Sequence, residues 1–67
     1  MKLIDTPNPN AKKIEISLNS DEILKNLNNV NGVSSVFVGP GFITVTKNEN
    51  AEWELITQEI ISIFDRL

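Results

Sequence analysis

The stretch VFVGPGFITVTK, from Val36 to Lys47, is the feature that most narrows the folds open to this chain. Alternating, mostly β-branched residues lie on both sides of Gly39-Pro40-Gly41, which is the pattern of two strands joined by a tight turn. Pro40 and Gly41 suit the two central positions of a type II turn, because the second position needs a positive φ. We therefore predict a hairpin with strands at residues 33–38 and 42–47.

The turn could also be interpreted as a phosphate-binding loop, but its chemistry argues against this. Such loops present successive backbone N–H groups and lead into a helix, whereas Pro40 lacks an N–H and a strand follows Gly41. The pattern leaves the hairpin register open. One register turns four residues inward and leaves Phe37 and Phe42 close together on the far face. The four inward residues are Val36, Val38, Ile43 and Val45.

The segment before the hairpin predicts two more strands and a helix. Leu3 and Ile4 open a short apolar run, and the two prolines of TPNPN, residues 6–10, then make a stiff turn. Beyond it, apolar residues alternate with polar ones, which is the period of a strand with one buried face. These apolar residues are Ile14, Ile16 and Leu18.

A helical period follows at about residues 19–32. Its apolar residues are Ile23, Leu24, Leu27 and Val30. Asn19 or Ser20 can cap the start of this helix, and Gly32 can end it in the left-handed conformation.

The last segment predicts a second amphipathic helix, with Asn50 as its N-cap. Its apolar stripe consists of Trp53, Ile56, Ile60, Ile63 or Phe64, and Leu67. No linker or repeat divides the chain, so we predict a single domain over residues 1–67. The predicted class is α+β, a two-layer sandwich in the order ββαββα. Its four-stranded sheet is mostly antiparallel and carries both helices on one face.

Two absent residue types exclude much of the chemistry of enzymes. Without cysteine the chain has no disulfide, thiolate ligand or thiol nucleophile, and without histidine it lacks the usual acid–base group and the commonest zinc ligand. A sandwich of 67 residues also leaves little room for a substrate cleft. We therefore predict no enzyme activity and no bound cofactor.

Charge and hydropathy argue against nucleic-acid and membrane partners. The net charge is -3, and Lys12-Lys13 is the one basic pair, whereas binding to a phosphate backbone needs a dense basic patch. No apolar run approaches the roughly 18 residues of a membrane helix, and the N-terminus lacks the apolar core of a signal peptide. We expect a cytoplasmic protein that binds neither nucleic acid nor membrane. A monomer is favoured, with a weak dimer as the alternative.

Three segments, TPNPNAKKIEI, GVSSVFVGPGFITVTK and WELITQEI, occur in this order along the chain. In them the chain resembles the N-terminal domain of NifU-like (Nfu) iron–sulfur cluster scaffold proteins, over most of its length. The first two segments are specific for the family, and its small α+β domain agrees with the predicted order of elements. We expect a short, free-standing version of that domain, although a domain cut from a longer protein would look the same.

The chain departs from the family pattern in two ways. Family members usually have a longer segment between the TPNPN strand and the first helix, which here shrinks to SLNSD. Full-length members hold the cluster on a separate C-terminal domain with a Cys-x-x-Cys motif, and this chain has no cysteine.

The resemblance therefore implies an accessory role. We predict a non-catalytic protein-interaction domain associated with iron–sulfur cluster biogenesis, with a protein partner from cluster assembly and no cluster of its own. The predicted interaction residues are Thr6, Pro7, Asn8, Pro9, Asn10, Phe37, Phe42 and Trp53. Two alternatives stay open. One is a small metal-ion-binding domain that uses the carboxylates of Glu49, Glu52 and Glu59, and the other is an orphan or engineered structural fold with no ligand.

Overall fold

The computed structural model of the chain describes residues 3–16 and 21–66. Its elements are β1 Leu3–Asp5, β2 Ala11–Ile14, α1 Asp21–Asn28, β3 Val33–Gly39, β4 Phe42–Lys47 and α2 Trp53–Asp65. The strands form one antiparallel sheet in the order β1-β2-β4-β3. The predicted α+β class, the ββαββα order and the four-stranded antiparallel sheet are confirmed.

One apolar core lies between the sheet and the two helices. Its fully or almost fully buried members come from β2, β4, both helices and the turn after α1: Ile14, Ile43, Val45, Ile23, Leu27, Ile56, Ile60 and Val30. No polar or charged side chain in the part of the chain that the structure describes is buried. Burial of apolar surface, at about 25 cal/mol per Å², is therefore the main source of stability.

The hairpin has the register that places four apolar residues inward. Val36 pairs with Val45 and Val38 pairs with Ile43, so these residues share the face that the helices cover. Gly39 pairs with Phe42, which leaves Pro40 and Gly41 as the two loop residues, and the φ of +77° at Gly41 agrees with a type II turn.

Strand β2 is shorter than the alternating pattern predicted. It ends at Ile14, which pairs with Ile43, because the neighbouring strand β4 begins only one residue earlier, at Phe42. Ile16 lies beyond the strand, and it is half-buried and packs against the core. The predictions for Leu18, the caps Asn19 and Ser20, and Leu67 lie outside the described residues.

The N-cap prediction for α2 was wrong. Glu52, in extended conformation, is the N-cap residue, and no side chain caps the helix. The Ala51 N–H donates to the Asn48 carbonyl at 3.0 Å, so a turn occupies residues 48–51 and the helix starts later than the sequence suggested. The Asn50 side chain is therefore too early in the chain to reach the first free N–H groups of the helix.

Gly32 joins the first half of the fold to the start of α2. It has a φ of +97°, but it lies four residues beyond the end of α1, in the turn before β3, and not at the helix cap. Its carbonyl accepts a hydrogen bond from the Asn48 N–H at 2.8 Å. A Cβ at this position would lie 2.9 Å from the Ala51 Cβ, which is closer than side-chain atoms pack.

Replacing Gly32 by alanine should therefore destabilise the fold for two reasons. Left-handed backbone strain costs about 1–2 kcal/mol, and overpacking against Ala51 adds about 1–3 kcal/mol. Gly41→Ala is the matched control, because Gly41 also has a positive φ but has open space where a Cβ would lie. Urea denaturation should show a clearly larger loss for Gly32→Ala, and equal losses would refute the packing role of Gly32.

Candidate functional site

The predicted interaction residues fall on two surfaces that lie on opposite faces of the sheet. Consecutive lysines of β2 mark the two faces: the Lys12 ammonium lies 5.3 Å from the Trp53 ring centroid, and the Lys13 ammonium lies 6.0 Å from that of Phe42. Lys12 pairs with the buried Val45, whereas Lys13 pairs with Thr44 on the face without helices. We call residues 6–10 with Lys12 and Trp53 the loop surface. We call Lys13, Phe37 and Phe42 the open face.

Hydrogen bonds within residues 6–10 hold the loop surface in one conformation. The Thr6 hydroxyl lies 2.9 Å from the Asn8 carbonyl and 2.8 Å from the Ala11 carbonyl, and its single proton is shared between these two acceptors. The Asn10 N–H donates to Asn8 Oδ1 at 2.9 Å, and the Ala11 N–H donates to the Asn8 carbonyl at 3.0 Å. The loop is therefore already ordered in the free protein.

Trp53 fastens this loop to the start of α2. Its indole Nε1–H donates to the Pro9 carbonyl at 2.9 Å, and the half-buried ring packs against the core. Lys12 lies over the ring and pairs with Asp5 at 3.3 Å. The result is a shallow groove of about 400 Å³ between the loop and the ring. Its lining residues include Asp5, Thr6, Pro7, Asn8, Lys12 and Trp53.

The open face carries an aromatic pair. The Phe37 and Phe42 ring centroids lie 6.3 Å apart at an interplanar angle of 41°, a favourable tilted geometry, which confirms that the hairpin brings these rings together. Phe37 is 63% exposed, although most phenylalanine side chains are buried. Gly39 lies beneath the Phe42 ring, and a methyl group there would overlap the ring. A larger residue here would therefore require the Phe42 ring to move from this position.

Lys12 and Lys13 belong to these surfaces, which their interpretation as a basic pair for nucleic acid does not predict. Each lysine lies against an aromatic ring on its own side of the sheet. The sequence does contain a signal for this placement, because consecutive residues of a strand point to opposite faces of the sheet. The contact between Trp53 and Pro9 has no local signal, since 44 residues separate them.

The described residues offer neither a carboxylate metal site nor a membrane-spanning helix. Among them, no group of three acidic, histidine or cysteine side chains is close enough to hold a metal ion, so Glu49, Glu52 and Glu59 form no such cluster. Neither described helix combines the length and the apolar character needed to cross a membrane.

Comparison with known families gives a match to one family model. The model, described as "Scaffold protein Nfu/NifU N terminal", matches residues 17–67. Among curated proteins, the chain is similar to "NFU1 iron-sulfur cluster scaffold homolog, mitochondrial" of Drosophila persimilis and of Drosophila willistoni. The identities are 34% and 36% over 76 residues, covering 88% of this chain and 27% and 26% of the relatives.

The chain thus spans about a quarter of the length of these curated relatives. The matched region of 76 residues is also longer than the 67 residues of the whole chain, so the relatives have extra residues within it. Among solved structures, the chain is similar to the crystal structure of protein SAV1430 from Staphylococcus aureus. The TM-score is 0.85 at 25% identity, and the match covers 96% of this chain and 95% of that one.

Trp53→Phe tests whether the indole fastens the loop. A smaller aromatic ring is kept at this position, but the hydrogen bond to Pro9 is lost, which should cost about 0.5–1.5 kcal/mol in addition to the lost packing and should loosen residues 6–10. Amide hydrogen exchange should therefore accelerate at Asn10 and Ala11, whose N–H groups are bonded within the loop. Phe37→Leu is the control, since Phe37 lies on the open face, and it should leave both amides unchanged. Unchanged exchange in Trp53→Phe would contradict the anchoring role.

Proposed function

This chain belongs to the family of Nfu/NifU scaffold N-terminal domains, and from this premise we propose that it is a non-catalytic protein-interaction domain of iron–sulfur cluster biogenesis. It binds a protein of cluster assembly and does not itself ligate a cluster. The observation that carries this proposal is the loop surface, in which the TPNPN segment is held in one conformation by its own hydrogen bonds and by the bond from Trp53 to Pro9.

The amino-acid composition, which lacks the usual cluster ligands, supports an accessory role. Biological iron–sulfur clusters are held mainly by cysteine thiolates and less often by histidine, and the 67 residues contain neither. The curated relatives are named as cluster scaffolds and are about four times longer than this chain. Cluster ligation is thus assigned to another polypeptide or to another domain.

The geometry of the loop surface suits recognition of a protein. Pro7, Asn8 and Pro9 are exposed at the tip, and a loop that is already ordered loses little conformational entropy on binding. Trp53 supplies a broad aromatic wall, and Lys12 and Asp5 place one positive and one negative group beside it. Tryptophan is one of the residue types that most often dominate the binding energy of protein interfaces, and charged groups beside it suit the polar rim of such an interface.

The open face is the second predicted contact, through Phe37 and Phe42. The two surfaces lie on opposite faces of the sheet, so binding at one leaves the other accessible. The cytoplasmic location stays a prediction, and so does the choice between the favoured monomer and the weak dimer. The curated relatives are named as mitochondrial proteins.

A chemical-shift titration tests the proposal. Purified iron–sulfur carrier proteins, with and without cluster, are added to the ¹⁵N-labelled chain, and we expect shifts in residues 6–10 and in the Trp53 indole N–H. Lys12→Met keeps most of the apolar stem but removes the charge over Trp53, and it should weaken binding about three- to tenfold. Lys25→Met, on the exposed surface of α1, is the matched control and should bind like the unchanged chain.

Two results would contradict the proposal. One is the absence of any shift in residues 6–10 with every carrier. The other is equal weakening by Lys12→Met and Lys25→Met, which would indicate attraction by net charge alone and no contact at the loop surface.

A further inference from the structure

The two edge strands of the sheet differ strongly in how well they are protected against pairing with a further strand. Among the described residues, strand β1 has three, ends at the charged Asp5 and is followed by two prolines, all of which discourage another strand from pairing with it. Strand β3, at the other edge, has seven residues with the sequence VSSVFVG and contains no charge and no proline. An uncharged edge strand of this length is a template for a further strand.

The backbone of β3 presents free hydrogen-bonding groups to this edge. A two-residue loop closes on a hydrogen-bonded pair, here Gly39 and Phe42, so the alternation of an antiparallel ladder also makes Phe37 and Thr44 a bonded pair. The N–H and C=O groups of Val36 and Val38 then point away from β4. Within residues 3–16 and 21–66, no backbone group outside the sheet bonds to residues 35–39.

The regular part of β3 is symmetric about one residue. The ladder with β4 is irregular between Val33 and Ser35 and regular from Ser35 to Gly39, a stretch of five positions with Phe37 at its centre. An antiparallel strand related by a twofold axis at Phe37 places Val36 opposite Val38 of the second strand, and Val38 opposite its Val36. These are the residues whose backbone groups are free, so every donor on this stretch of the edge meets an acceptor.

We propose that β3 pairs with β3 of a second copy of this chain, antiparallel about a twofold axis at Phe37, to form a continuous eight-stranded sheet. Each β3 strand supplies the hydrogen-bond donors and acceptors that the edge of the other copy needs. An interface that is complementary to itself in this way is the condition for a closed twofold dimer. Because the edge carries no charge, two chains of net charge -3 bring no like charges together along the paired strands.

The exposure of side chains on β3 agrees with pairing to a second copy. Phe37, 63% exposed, would lie in a non-hydrogen-bonded pair with Phe37 of the second copy, where facing side chains are closest. With Phe42 at 6.3 Å from Phe37, the joint would carry four aromatic rings on the open face. Val38, 39% exposed, would be covered from the edge. Each copy contributes one short strand, so the dimer should be weak and concentration-dependent.

Sedimentation and amide exchange of the unmodified chain, from micromolar to millimolar concentration, give the first test. The mean mass should rise toward that of a dimer, and exchange at the Val36 and Val38 amides should slow in step with it. The Phe37 amide is bonded within the chain and should exchange at a rate that does not depend on concentration. It is thus an internal control.

A crosslink gives the second test. The chain has no cysteine, so Phe37→Cys introduces a single thiol. Across a non-hydrogen-bonded pair, Cα atoms lie about 4.5 Å apart, within the range that a disulfide spans. Leu55→Cys is the matched control, because Leu55 is 62% exposed on α2, away from β3. Mild oxidation should dimerise Phe37→Cys several times faster than Leu55→Cys.

A monomer at millimolar concentration with fast exchange at Val36 and Val38 would overturn the proposal, as would equal crosslinking of the two variants. Protection of the Val36 and Val38 amides only in the presence of another protein would also overturn it. In that case the edge of β3 would be a binding site for an extended segment of that protein.

Discussion

Strand β4 is the element on which the rest of this structure depends. It pairs with β2 on one side and β3 on the other, and its inward residues Ile43 and Val45 are completely buried beneath the helices. No disulfide is available to constrain the unfolded chain, so a small apolar core around this strand must offset the conformational entropy lost on folding. Both candidate surfaces depend on β4 directly: the open face includes its first residue, Phe42, and the Lys47 N–H donates to the Asn10 carbonyl of the loop surface at 2.7 Å.

Elements whose signals are local could be predicted from the sequence, and elements set by distant contacts could not. The hairpin was predicted because Pro40 and Gly41 fix the turn and β-branched residues flank it. The end of β2 at Ile14 depends on where β4 begins, which alternation within residues 13–18 cannot reveal. Asn50 has a good capping side chain, but a turn between Asn48 and Ala51 delays the helix.

The same division applies to the candidate site. The resemblance of TPNPN to a family segment pointed to residues 6–10, and the hairpin turn predicted that Phe37 and Phe42 lie close together. Neither source indicated that Trp53 belongs with the loop and apart from the phenylalanines, since this follows from how α2 lies over the sheet. Gly39 shows a related limit: the Phe42 ring lies over it, and this close approach becomes visible only once side chains are packed.

The bond between Trp53 and Pro9 also gives the molecule an optical reporter of its own. The chain has one tryptophan and no tyrosine, so nearly all of its ultraviolet emission arises from the indole at the loop surface. Lys12 lies against the same ring, so that emission senses both the hydrogen bond to the loop and the neighbouring positive charge. The state of residues 6–10 can thus be followed in solution without attaching a dye.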